Sequence, residues 1–354
     1  MTGLSKSSVQ RFEIAPGFTI SRIIKGGWQL SQGHSQGITT NPLDDMSSFV
    51  DQGITSFDCA DIYTGVEELI GKFLTLRKKR FGNTNDIQVL TKFVPDYDAL
   101  SIITKVYAEK IIDRSLKRLN LEQLDMVQFS WWAYDIPRWV ETAGWLGELQ
   151  QTGKIRLISG TNFNTSAAKE ILDAGISFAT LQIQYSLLDN RPDKSLVALC
   201  KEKKVHLLCY GTVAGGFLSE RWLNVAEPKP PFENRSLVKY KLMIDEFGGW
   251  ELFQSLLQAL KSIADRHQVN LTNVAARYIL DRPQVAGIIV GARGANHLKE
   301  NLRVFDLRLD SEDQIEIDRI LKERKGPSGD VFDVERIKDG PHGAIMKYNL
   351  NSNL

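Results

Sequence analysis

The feature that most constrains this chain is an eightfold alternation. Short, almost continuous apolar runs (ISRIIKGGW, TSFDCA, IQVLTKF, DMVQFSW, IRLISGTNF, ATLQIQYSL, HLLCYGT and AGIIVGA) recur along the sequence. Between them lie segments with apolar residues at helical spacing, such as EELIGKFLTLRKKRF, AEKIIDRSLKRLN and SAAKEILDAG. Runs that are apolar on both faces read as parallel strands covered on both sides. Several intervening segments open on Thr, Ser or Asp and close on Gly or Asn, which are helix start and stop signals. Eight such units predict a closed (β/α)8 barrel, an α/β fold in one domain over 1–354 with its core at about 22–321. An open doubly wound sheet fits less well, because no G-x-G-x-x-G follows a strand here.

Three stretches depart from the repeat. RFEIAPGFTISRI predicts a hairpin that plugs the bottom of the barrel. Residues 224–249, with EPKPPFENRS, read as a long loop after the seventh strand, where ligand sites are shaped. DSEDQIEIDRIL reads as an extra helix, and the Gly-rich 326–354 as a lid or loose tail.

A net charge of +1 with no basic face gives no sign of nucleic acid or an anionic membrane as partner. No apolar run is long enough to span a bilayer, and the N-terminal residues hold no secretory apolar core. Cys59, Cys200 and Cys209 are an odd, scattered set without metal-ligand spacing, so no metal is expected and the reading is a reduced, cytoplasmic setting.

In such a barrel the chemistry sits at the C-terminal ends of the strands. Those ends carry Gly27 and Trp28, Asp58, Lys92, Ser130, Thr161 and Asn162, Gln182, Tyr210, and Gly291 with Arg293. Asp58 and Lys92 end adjacent strands and are expected to pair, since either charge buried alone is costly. Tyr63 follows in the loop after Asp58. A neighbouring ammonium favours a phenolate, so Lys92 is expected to lower the Tyr63 pKa and ready it for proton transfer. A purely structural ion pair capped by a packed tyrosine explains the same spacing. Trp28, Trp131 and Tyr134, with the loop near Pro230 and Phe232, are the expected walls of a pocket for a bulky or ring-bearing substrate, while Trp132 is expected to pack. His34 lies in a loop of the same face and reads as a further pocket residue; His206, His267 and His342 fall away from it.

FDCADIY-x-G-x-EELIG, VLTKF, VQF-x-W, TNF, LQIQYSLLD and GARGANHLKEN together resemble the aldo-keto reductases, in order and over about Arg22 to Leu321. The resemblance implies a barrel that binds NADP(H) without a Rossmann domain and interconverts carbonyls and alcohols. Tyr63 then matches the proton donor, Lys92 its partner and Asp58 the carboxylate that pairs with the lysine. Thr161, Asn162 and Gln182 match the groups that hold the nicotinamide carboxamide, and Tyr210 the ring that stacks on it. Gly211, Thr212, Gly216, Leu218 and Arg221 fall in the family's pyrophosphate loop. Gly291, Arg293, His297, Glu300 and Asn301 match its adenosine-phosphate motif, with His297 where arginine is common. Ser130 stands where the family has a histidine. That leaves open a hydride-transfer enzyme, a barrel turned to a non-redox lyase, isomerase or cyclase reaction, and a cofactor-binding regulatory protein. The implied partners are small molecules, with a monomer or small homo-oligomer as the assembly.

Overall fold

A computed structural model describes residues 9–31, 41–292 and 294–351. Two antiparallel strands, β1 (Arg11–Ala15) and β2 (Phe18–Ser21), open the chain. Eight parallel strands follow: β3 (Ile23–Gly26), β4 (Ser56–Asp58), β5 (Gln88–Phe93), β6 (Leu124–Phe129), β7 (Ile155–Thr161), β8 (Thr180–Gln184), β9 (His206–Tyr210) and β10 (Val285–Gly291). They close in sequence order, β10 pairing with β3. The eight apolar runs are these eight strands, with helices packed outside. Among the described residues, no helix is long and apolar enough to cross a membrane.

The barrel interior is layered by the period-two alternation of strand side chains. Ile24, Leu90, Met126, Leu208 and Ala286 form an apolar floor, and Ile14, Phe18 and Ile20 of the hairpin seal it from below. Two residues further along β5 and β6 stand Lys92 and Gln128, which are register partners. The same stagger raises Asp58 and Gln182 into the layer above the floor. The floor excludes water from below, so the polar layer meets solvent only at the mouth.

One expectation needs correction, and one alternative is narrowed. Residues 224–249 are not one loop, because Arg235–Phe247 is a helix. Asn234 caps it, its side chain accepting a hydrogen bond from the Leu237 amide, and Leu237, Tyr240, Met243, Ile244 and Phe247 bury its inner face. The Pro and Gly signals flanking that helix masked its 3.6-residue period. Of the lid or loose tail expected after 326, residues 326–351 fit the lid. It crosses the mouth as a strap, with a short helix at Asp333–Arg336. Glu335 receives both terminal nitrogens of Arg191, at 2.9 and 3.0 Å. The same guanidinium binds Asp189 at 2.7 and 2.9 Å. At the far end, Leu350 and Asn351 donate their amides to Asp96, and the Asn351 side chain donates to Asp61 and to the Val94 carbonyl. The extra helix is present as Ser311–Leu321.

Burial alone would raise Glu335, yet hydrogen bonds and charge from Arg191 hold it below the ordinary glutamate range. A depressed carboxyl stabilises the fold above its unfolded pKa, and that increment is lost as pH falls through its folded value. Glu335→Ala removes one partner of a buried pair and is expected to cost about 3 kcal/mol in urea unfolding at neutral pH. The difference from wild type should shrink on acidification below about pH 4. Limited proteolysis should show the variant cut first within 326–351.

Candidate active site

The centre of the polar layer is Asp58, at the end of β4. Lys92 Nζ lies 2.6 Å from Asp58 Oδ1 and also donates to the Cys59 carbonyl at 2.8 Å. The pair is nearly sealed, each side chain 5% exposed. Two carboxamides complete it. Gln128 Nε2 donates to the same oxygen at 3.0 Å and Gln182 Nε2 at 2.6 Å, while Gln182 also donates to Gln128 Oε1 at 2.7 Å. Ion pairing and burial of Asp58 and Lys92 are as the strand ends suggested. Gln128 was missed: a glutamine inside the apolar run DMVQF was the available signal, since an amide buried there needs a polar partner. Gln182, expected at the nicotinamide, has its side-chain amide committed to Asp58.

Gly27 closes the same layer from β3's side. Its amide donates to the Asp58 carbonyl at 2.8 Å, and a Cβ there would stand 2.6 Å from that oxygen. Any larger residue would push the β3 end off β4.

Tyr63 packs above the ion pair. Lys92 Nζ is 5.3 Å from the centre of its ring, and the Trp28 ring is 5.1 Å away at 59°. The phenol pKa does not move as expected. It is raised well above its ordinary value by burial first and then by the negative charge of Asp58. Lys92 fails to lower it because its charge is spent on Asp58. Ser130 is buried at the end of the fourth barrel strand, its amide donating to the Phe93 carbonyl.

The other expected residues surround this centre. Tyr210 donates its hydroxyl to Asn162 Oδ1 at 2.8 Å. Thr161 and Thr212 are buried. The turn after β9 uses positive φ at Gly211, Gly215 and Gly216. Its own hydrogen bonds consume the amides of Ala214, Gly216, Phe217 and Leu218, and the Leu218 side chain is in the core. Arg221 is exposed and paired with Glu233. Gly291 ends β10 beneath Gln29, whose Oε1 is buried without a partner among the described residues. The following loop is held from below: Lys25 Nζ donates to the Ala292 carbonyl at 2.6 Å, and Asp45 accepts the Ala295 amide at 3.0 Å. His297, Glu300 and Asn301 lie beyond it on the rim, at and within the helix Leu298–Leu302. His34 and Arg293 lie outside the described residues.

One pocket assignment is overturned. Trp131 is 1% exposed and packs edge-on against Phe129, its indole nitrogen bonded to the Ala133 and Ile136 carbonyls. Trp132 points the other way, hydrogen-bonded to the Pro95 carbonyl and packed on Tyr348 of the strap. Past the strand end the alternation sends successive side chains to opposite sides. Tyr134 sits under the strap, its hydroxyl accepting the Asn164 amide at 3.1 Å and its ring covered by Arg336, whose guanidinium lies 4.1 Å from the ring centre.

Asp58→Ala strands a buried ammonium and is expected to cost about 3–5 kcal/mol. The double substitution Asp58→Ala with Lys92→Met should recover a large part of that loss in urea unfolding. Equal destabilisation of the single and double variants would show that the pair is not what organises this layer.

Comparison with known proteins fits this architecture. The sequence profile of the aldo/keto reductase family matches residues 22–322. Aldo-keto reductase YhdN of Bacillus subtilis is 28% identical over 313 residues, spanning 86% of this chain and 91% of that protein. The chloroplastic pyridoxal reductase of Arabidopsis thaliana is 25% identical over 331 residues, 89% and 86% of the two chains. In fold, the glycerol dehydrogenase of Gluconobacter oxydans superposes with a TM-score of 0.70 at 22% identity, over 92% of this chain and 98% of that one. With a matched profile over most of its length and an eight-stranded barrel of that architecture, the chain belongs to the aldo/keto reductase family.

Proposed function

We propose that this protein is an NADP(H)-dependent oxidoreductase that reduces the carbonyl of a small, bulky or aromatic substrate, or oxidises the matching alcohol. The observation that carries the reading is a phenol, Tyr63, placed over a sealed Lys92–Asp58 pair at the water-facing end of the barrel. The whole chain acts as one barrel unit, with the segment after 326 covering its mouth.

The residues at the mouth fit a nicotinamide cofactor. The Tyr210 hydroxyl is fixed by Asn162, which sets the plane of its ring at the mouth, and the glycines at 211, 215 and 216 keep side chains out of the adjoining turn. Gln29 Oε1, buried beside Gly291 without a partner among the described residues, is an acceptor open to a donor. Thr161, Asn162 and Tyr210 would hold the nicotinamide end. The turn 211–218 and Arg221 would face the pyrophosphate, and Arg293, His297, Glu300 and Asn301 the adenosine phosphate. When bound, the cofactor supplies or accepts the hydride.

The protein's own part is the proton. In the reducing direction Tyr63 donates its hydroxyl proton to the developing alkoxide. Lys92, held by Asp58 and its two glutamine donors, is the cation beneath the phenolate left behind, with its charge offset by Asp58. Ser130 offers one hydroxyl to the carbonyl oxygen, a shorter donor than an imidazole and one that cannot carry charge.

Tyr63→Phe should lower kcat by about 10²–10⁴-fold with NADPH binding retained. Ser130→Ala should lower kcat/KM by about tenfold, the worth of one hydrogen bond of roughly 1–1.5 kcal/mol. A Tyr63→Phe enzyme within threefold of wild type would sink the reading. Because the Tyr63 pKa lies above its ordinary value of about 10, the acid stays protonated through neutrality. Reduction, followed as kcat/KM, should therefore show no loss of the acid between about pH 6 and pH 9 and should decline only in alkali.

A further inference from the structure

Two cations meet over Tyr210 and Asn162, and the chemistry above uses neither. Lys239, on the helix Arg235–Phe247, holds Nζ 4.8 Å from the centre of the Tyr210 ring. Arg336, on the strap, donates one nitrogen to the Asn162 carbonyl at 2.6 Å and to the Trp131 carbonyl at 3.2 Å. Both lie over the Phe332 ring, at 5.9 and 5.2 Å from its centre. Two elements from distant parts of the sequence thus bring positive charge to one spot at the mouth.

The carboxylates nearby are committed elsewhere. Glu335 is bidentate with Arg191. Asp330 accepts the Thr165 amide, and Asp333 accepts the Asn164 side chain and the Asp330 amide. Among the described residues, Lys239 and Arg336 form no ion pair. Among the described residues, Arg336 also keeps two buried nitrogens, Nε and Nη1, without a hydrogen-bond partner. Buried donors left unmade cost free energy, more so on a charged group, so each of these two nitrogens favours an anionic oxygen as its partner. Burial lowers both cations from their ordinary pKa values, which marks charge that its surroundings do not fully neutralise.

We propose that Lys239 and Arg336 form a subsite for an anionic group on the substrate, so that the carbonyl compound turned over here carries a carboxylate or phosphate. The inference rests on the oxidoreductase reading and narrows it. A phosphate of the cofactor presents the same oxygens, so the test must separate the two sources.

The test uses the full chain with NADPH and two substrates of nearly equal shape, 4-carboxybenzaldehyde and 4-carbamoylbenzaldehyde. In Lys239→Met the ratio of kcat/KM for the anionic over the neutral aldehyde should fall at least tenfold, with the NADPH Kd within twofold of wild type. Arg336→Gln should act in the same direction, and Arg336→Lys should restore part of the ratio if the strap stays seated. A ratio that holds within twofold in Lys239→Met overturns the proposal. So does a tenfold rise in NADPH Kd with both aldehydes affected alike, which would assign the anion to the cofactor. Terephthalate binding, read by tryptophan fluorescence, needs no turnover. Lys239-dependent binding by a protein that reduces neither aldehyde would support the subsite and overturn the oxidoreductase reading alone, whereas absence of terephthalate binding in wild type would overturn the subsite.

Discussion

Everything at the mouth of this barrel depends on one buried charge pair. Lys92 and Asp58 are both nearly sealed from water, and taking two charges out of water costs more than their attraction returns unless the remaining lone pairs and protons are also met. The barrel meets them with the Cys59 carbonyl on one side and the Gln128 and Gln182 amides on the other. Together with the pair itself, these groups come from β4 with its exit, β5, β6 and β8. A slip of one residue in any of these strands would turn the polar side chain out of the barrel and leave the pair short of a partner. The pair thus rewards one register, and the apolar floor two residues below enforces the same register by packing.

The strap repeats this logic at the rim. Arg191 is fully enclosed between Asp189 and Glu335, so the segment after 326 docks through a charge triad rather than through a large apolar face. Its far end is tied by Asn351 to Asp61, whose carboxyl burial lifts to about 7. A cover attached by directional bonds at its two ends sits in one place above Tyr210 and Trp132, which is what a defined binding mouth requires.

The barrel was legible because its signals are local: each strand is a short apolar run, and eight in order leave few topologies. Asp58, Lys92 and Tyr63 were legible because charge and phenol at the ends of apolar runs are anomalous. What stayed hidden depends on contacts across the chain. Gln128 looked like an ordinary strand residue until the register placed it beside Lys92. Trp131 and Trp132 are adjacent in sequence, and only the turn of the backbone decides which is core. Arg336 and Lys239 gave no signal at all, because a tail and a helix flanked by Pro and Gly carry no periodic clue that they meet.

The phenol above the ion pair carries the last consequence. A tyrosine over a lysine invites the idea that the cation holds a phenolate ready, and the geometry argues otherwise. Lys92 is already balanced by Asp58, and two glutamine donors fix that balance. Tyr63 therefore feels its own burial first and then the negative charge of Asp58, both of which favour the protonated phenol. A protonated phenol is the form an acid needs at the start of carbonyl reduction. The pair's part is then positional: it is a preorganised dipole, paid for in folding, that seats the ring above it and leaves the phenol holding its proton firmly until a developing alkoxide takes it.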